Sequence, residues 1–358
     1  MKHKVNKGEW AELYVFLSVL ATGKLYAADE DLNKIEEAYY TVLQAIKIEE
    51  NEEKRYSRDT KKNLVVIYSN GTKKISIPIA DFLNFGPIVL EGIKNGTGRS
   101  FEIPEIEEFL EQILVDKIKA SSDSKKDLIF QVHDEFTGFK PQIGFSVKSY
   151  IGGAPTLINS SGATVFSYTT EGNLVTEQFV NTINQIESRN KIKDRIEHIY
   201  THGITLKYIG LSSNIFSRNL QMIDFRLPEI LANLYLSSYF VSGKKMTDVV
   251  KYYVKKYNED EQLIEYKIKD LLTAAALGME PNTHWDGLED ANGGYIVVKS
   301  DGEILCYHIY DRNKLRTYLY NHTKFDTPST GRTGSGLLEF NKNTSEATFK
   351  LSLQVRFS

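Results

Sequence analysis

Residues 128–148 read as a β-hairpin. Leu128–Ile–Phe–Gln–Val–His–Asp134 and Gln142–Ile–Gly–Phe–Ser–Val–Lys148 are rich in β-branched and aromatic residues, and the link Thr137–Gly138–Phe139–Lys140–Pro141 is turn-like. Side chains alternate along a strand, so Ser146 and Lys148 share a face. The first strand ends on an acid, and Asp134 is expected to meet Ser146 and Lys148 on one surface. An acid, a short polar gap and a lysine in that arrangement suit a divalent metal and an attacking water. That is the chemistry of phosphodiester hydrolysis.

The pattern resembles the PD-(D/E)xK nuclease motif, with Asp134 as its first acid and Ser146–Val147–Lys148 as its second half. It departs from that motif at Ser146, where the pattern has Asp or Glu. The fold this implies is an α/β (α+β mixed-sheet) restriction-endonuclease-like core, followed by a helical and then strand-rich C-terminal region.

A chain of 358 residues can bury a large core in one big domain or two mid-sized ones. It has no run of about 18 apolar residues, so nothing in it reads as a membrane span. The basic N-terminus runs into an amphipathic helix rather than a signal-peptide core. The one cysteine, Cys306, excludes an internal disulfide framework and a cysteine-based zinc site, so a reduced, cytoplasmic protein is expected. A net charge of −3 hides an uneven distribution. Acids concentrate between Asp29 and Glu53. Bases cluster at Lys117/Lys119/Lys125/Lys126, at Arg189/Lys191/Lys193/Arg195, and at Lys244/Lys245/Lys251/Lys255/Lys256, the last interleaved with Tyr252, Tyr253 and Tyr257. A basic cleft on an otherwise acidic body follows from such a distribution.

Along the chain, helices are expected at 9–20, where Trp10, Leu13, Leu17 and Leu20 form a stripe, and at 31–46, 103–119 and 174–199. Strands are expected at 64–69 and 74–78 around Asn70–Gly71, and at 204–211. Between them, 149–166 reads as a loop of Gly, Ser and Thr. Its backbone N–H groups and hydroxyls, with Thr156, Asn159 and Ser160 among them, suit phosphate contact. Helices at 227–240, 244–257 and 261–277 are followed by strands at 294–299 and 303–308, a helix at 312–320 and a terminal strand at 348–357. A boundary near 218–228 would divide a catalytic core (1–220) from a C-terminal recognition or clamping region (221–358).

Beyond the hairpin, Lys7–Gly–Glu–Trp–Ala–Glu12, Gly23–Lys–Leu–Tyr–Ala–Ala–Asp29, Gly144–Phe–Ser–Val–Lys–Ser149 with Pro155–Thr–Leu–Ile–Asn159, Lys324–Phe–Asp–Thr–Pro–Ser–Thr–Gly–Arg332 and Leu353–Gln–Val–Arg–Phe357 occur in an order that resembles HpaII-type type II restriction endonucleases. The resemblance spans essentially the whole chain. It implies a Mg²⁺-dependent enzyme that cuts double-stranded DNA within CCGG and a methyltransferase that protects host DNA; whether the chain acts as a monomer or a homodimer stays open. It also implies roles for the site residues. Asp134 and the Val147 carbonyl would ligate the metal, and Lys148 would orient the water and stabilise charge on the phosphate. Glu12 on the first helix is the preferred substitute for the carboxylate missing at Ser146, ahead of Glu135 and Glu171. His133 is expected to face away from the site, and His284 has no neighbours at ligand spacing. Lys324, Thr327, Ser329 and Arg332 are expected on a DNA-reading or backbone-clamping surface, where arginine and lysine suit guanine. A repair or structure-specific nuclease, and a DNA-binding module with a decayed site, are the competing readings.

Overall fold

The computed structural model describes residues 3–49, 52–118, 126–135, 137–328, 333–344 and 346–358. From the N-terminus, α1 (Lys7–Thr22) leads through β1 (Lys24–Ala28), β2 (Lys34–Glu49), β3 (Glu52–Asp59), β4 (Leu64–Ser69) and β5 (Thr72–Pro78) to α2 (Ile79–Asn95) and α3 (Pro104–Gln112). The hairpin follows as β6 (Leu128–His133) and β7 (Gln142–Ser149). Next come β8 (Thr156–Ile158), β9 (Val165–Gly172), α4 (Glu177–Asn184), α5 (Lys191–Thr201), β10 (Ile204–Leu211) and α6 (Asn214–Ile223). The helices α7 (Leu227–Ser238), α8 (Met246–Tyr257) and α9 (Glu261–Leu277) precede β11 (Gly294–Val298), β12 (Ile304–His308) and α10 (Arg312–Asn321). The chain closes with β13 (Thr323–Phe325), β14 (Leu338–Asn341), β15 (Glu346–Ser352) and β16 (Val355–Phe357). Among the described residues no helix is long and apolar enough to cross a membrane.

The chain forms two compact units, and neither is continuous in sequence. The first comprises 1–155, 276–278 and 288–318; the second comprises 156–275, 279–287 and 319–358. The division therefore falls at 155/156, well before the expected 218–228, and the 294–308 strands belong with the first unit. The reason is pairing: β11 lies parallel against β7, with Tyr295 opposite Ser146 and Val297 opposite Lys148.

In the first unit the sheet order is β1-β12-β11-β7-β6-β2-β3-β4-β5, and β1 also pairs with β2. The strands β1, β12, β11, β7, β6 and β2 thus close a ring of pairings, from which β3, β4 and β5 extend. β7 is held on both edges, antiparallel by β6 and parallel by β11. α1 starts at a capping box: the Asn6 side chain accepts from the Gly8 and Glu9 N–H groups, and Glu9 Oε2 accepts the Asn6 N–H at 2.8 Å. The expected stripe of Trp10, Leu13, Leu17 and Leu20 is buried, together with Ala11, Val15, Phe16 and Val19. Each large apolar side chain buried contributes about 1.5–3 kcal/mol. The helix is therefore fixed by packing, and so is the inward-facing Glu12 that it carries.

The helix expected over 31–46 is not formed; those residues lie mostly in β2. Tyr39, Tyr40, Thr41 and Val42 favour a pleated surface, and pairing with β1, β3 and β6 overrides the helical spacing. Over 103–119 the helix ends at Gln112. Between 174 and 199 the expected single helix is two, α4 and α5. The buried Arg195 joins them, donating to the Asn184 and Ile186 carbonyls at 2.8 Å each, so that α4's terminal carbonyls are satisfied without further helix. The 149–166 loop contains the short strand β8. In the second unit, β10-β9-β15-β14 form one sheet and β13-β16-β8 another. Tyr235 of α7, fully buried, donates to the Ser352 carbonyl at the end of β15.

Candidate active site

The hairpin forms with the expected strands, and its register decides which acid faces the lysine. Leu128 lies opposite Phe145 and Gln131 opposite Gln142. Asp134 therefore sits at the turn: its N–H donates to the Phe139 carbonyl, its Oδ2 accepts from Thr137 Oγ1 at 2.7 Å, and it also accepts from the Tyr310 hydroxyl. Lys148 is at the other end of β7, and the advance from Gln142 to Lys148 at ~3.3 Å per residue is roughly 20 Å. The expected meeting of Asp134 with Ser146 and Lys148 does not occur, and the reason is geometric. In an antiparallel hairpin the end of the first strand is near the start of the second.

The acid at the Ser146 end is Asp127, which immediately precedes β6. Its N–H donates to the Phe145 carbonyl. Its Oδ2 accepts the Val147 N–H at 2.6 Å and the Ser146 hydroxyl at 3.3 Å. A side-chain oxygen thus takes over the next acceptor position of the ladder and fixes the carboxylate against β7. Ser146 is buried, at 1 % exposure, and its hydroxyl is engaged with this acid. Lys148, two residues on, is half-buried.

Glu12 completes the group from α1. Its Oε2 is buried and accepts no hydrogen bond among the described residues. Burial, then repulsion from Asp127, lifts the Glu12 pKa from 4.5 to about 8, against attraction from Lys148 and Lys47. Lys47 of β2 is the second cation here. Its Nζ is 3.1 Å from Glu49 Oε1, while Glu49 Oε2 is 2.8 Å from Lys54 Nζ, which also donates to Asp116. Burial holds the Lys47 ammonium below its usual pKa.

The donor set is all oxygen: the carboxylates of Glu12 and Asp127, the former desolvated and with no donor to its Oε2 among the described residues. That fits a hard divalent cation. Among the described residues no group of three or more His, Cys, Asp or Glu could hold a metal. A cation here would therefore keep much of its water, which suits Mg²⁺.

The other expected residues lie elsewhere. Glu135 is exposed at the turn, His133 lies opposite Thr41 in the sheet, and His284 is exposed. In the second unit, Glu171 pairs with Lys207 at 2.9 Å. Thr156 sits in β8 opposite Arg356, Asn159 is exposed just beyond, and the Ser160 hydroxyl bonds that of Ser352 at 2.6 Å. Lys324 lies in β13 opposite Arg356, and Thr327 accepts from Lys244 Nζ at 2.6 Å. Ser329 and Arg332 lie outside the described residues. Sequence reading missed Asp127 and Lys47. The register of a hairpin, counted back from its turn, carries the signal for Asp127. Lys47 was hidden because its segment has helical spacing.

The family model described as HpaII restriction endonuclease matches residues 6–357. The chain is 40% identical over 361 residues to the type II restriction enzyme HpaII of Haemophilus parainfluenzae, covering 98% of each chain. No solved structure matches the chain.

Proposed function

The chain belongs to the HpaII restriction endonuclease family, whose members are site-specific deoxyribonucleases, and we propose that it hydrolyses both strands of DNA within CCGG using Mg²⁺ held by Glu12 and Asp127. The observation that carries this reading is the convergence of Glu12, Asp127 and Lys148 at one end of β7, with a buried carboxylate oxygen that has no hydrogen-bond donor among the described residues.

Glu12 and Asp127 would hold the cation, which would supply positive charge to the phosphate as negative charge builds on its oxygens. Lys148 orients the attacking water and adds an ammonium beside the same oxygens. Asp127 is kept in place by the Val147 N–H and the Ser146 hydroxyl, which spares it the entropy of ordering at the moment of reaction. Ser146 therefore acts as a donor that holds the first acid. Glu12 takes the place of the second acid that the PD-(D/E)xK pattern has at 146, so the departure at Ser146 is compensated from α1 and does not imply a decayed site. Lys47 offsets part of the repulsion between the acids.

In this reading the enzyme acts in the cytoplasm beside a methyltransferase of the same specificity. Run-off sequencing of a plasmid digested with Mg²⁺ tests it. Discrete ends inside CCGG are expected; random ends or nicks would move the protein to a structure-specific nuclease. In the major groove a C5 methyl on the internal cytosine stands beside the N4 amino group through which that base is read. A duplex so methylated is expected to resist cutting under conditions that fully digest unmodified DNA.

A further inference from the structure

The second unit contains a cavity of about 730 Å³ walled by the start of α5 and by the loop after α7. Arg189, Lys191 and Lys193 line one side, Lys244 with Tyr239 the other, and among the described residues no acidic one is in the lining. Two of the basic clusters that are separate in sequence are thus brought to one hollow. The volume is that of a ligand site rather than a packing defect.

The cations are differently placed. Arg189 is exposed. Lys191 and Lys193 pair with Glu187 at 2.9 Å and Glu197 at 3.5 Å, both partners being solvent-facing, so these contacts hold little energy and yield to a stronger anion. Lys244 is the inner one. Its Nζ donates to Thr327 at 2.6 Å and stands 3.7 Å over the Tyr239 ring. Its backbone is in the left-handed region, at φ 54°, a conformation that costs a non-glycine residue energy. Burial lowers its pKa to about 8, with Asp326 opposing. Asp326 is itself engaged by Arg356 at 3.2 Å. A desolvated ammonium with neutral partners gains most from an incoming anion. The first turn of α5, where Asn190 makes no side-chain cap, adds the positive end of a helix to the same wall.

We propose that this cavity seats the sugar–phosphate backbone of the DNA substrate, with Lys244 and Arg189 gripping phosphate oxygens and Lys191 and Lys193 completing the positive wall. The inference rests on the nuclease reading but concerns a different surface from the cleavage residues. Contacts to phosphate position a duplex without reading its sequence. Removing one should weaken specific and non-specific DNA alike and flatten the salt dependence by about 0.9 in slope per lost contact.

The test measures affinity of the full chain, without Mg²⁺, for a duplex containing CCGG and one lacking it, across a range of salt. Lys244→Met and Arg189→Ala are each expected to weaken both duplexes by about tenfold at low salt and to reduce the slope by about one, with Lys244→Arg close to wild type. Arg189 is exposed, so its variant reads the site even if Lys244→Met does not fold. Unchanged affinity and slope in Arg189→Ala and in any folded Lys244→Met would overturn the inference, and so would a loss confined to the CCGG duplex. In both cases Mg²⁺-dependent cutting by the wild type leaves the nuclease reading intact. A wild type that binds neither duplex overturns the inference, and one that also fails to cut DNA with Mg²⁺ overturns both.

Discussion

Asp127 and Asp134 stand at opposite ends of one hairpin and do different work. Asp134 closes the turn: its carboxylate is taken up by Thr137 and by the Tyr310 hydroxyl, which are partners that hold a loop. Asp127 is bonded by a ladder N–H and by Ser146, and beside it lie a desolvated glutamate and a lysine. The same residue type seals a turn where hydroxyls of Thr137 and Tyr310 engage it. It becomes part of a charged group where the strand edge delivers it next to another carboxylate. The difference shows that an active-site acid is recognised by what surrounds it rather than by its distance in sequence from the lysine.

The largest effects should separate these two ends. Asp127→Ala and Lys148→Ala are each expected to lower the cleavage rate on a CCGG duplex at least 100-fold, since both remove charge that acts on the transition state. Asp134→Ala should stay within a few-fold. Single-turnover kinetics at saturating enzyme checks all three, and a near-normal Asp127→Ala would return the site to the turn end.

Glu12→Gln comes next, with about a tenfold to hundredfold loss of cleavage that Glu171→Gln does not share. Its stability should carry an independent signature. In the folded, metal-free protein the Glu12 carboxyl titrates near 8 instead of 4.5, so the folded state keeps a proton that the unfolded chain releases. The wild type is therefore favoured below about pH 4.5, loses stability as pH rises towards 8, and changes no further above that. Over that window it should lose on the order of 2–4 kcal/mol relative to Glu12→Gln, which has no proton to lose. Denaturant melts in EDTA at pH 5, 6.5 and 8 measure the divergence. Parallel curves would mean that Glu12 is not desolvated. Added Mg²⁺ should recover more stability at pH 8 than at pH 6, because it competes with that proton.

A smaller effect is expected at Ser146. Its bond to Asp127 is long, at 3.3 Å, and the Val147 N–H remains when the hydroxyl is removed. Ser146→Ala should slow cleavage by only a few-fold, and a stability change of about 1 kcal/mol would accompany it. Smallest of all is the turn itself, where Asp134→Asn keeps acceptor and shape and should cost less than about 1 kcal/mol in thermal unfolding.

Local sequence pattern was enough for the hairpin, the apolar stripe of α1, the placement of Glu12 on that helix, and Lys148 two residues after Ser146. These are local properties: alternation, helical spacing and turn residues act over a few positions, and the family resemblance rests on the same short segments. Tertiary structure decided the rest. β2 was written with a spacing that suits a helix, yet pairing with three neighbouring strands made it a strand and placed Lys47 near Glu12. Strands β11 and β12 lie far along the chain but join the sheet of the first unit, because β7 has an open edge that only a remote segment fills. The basic runs near 190 and 244 share a cavity for a similar reason. Long-range pairing is chosen by burial and backbone hydrogen bonding across the whole fold, and no short stretch of sequence contains that competition.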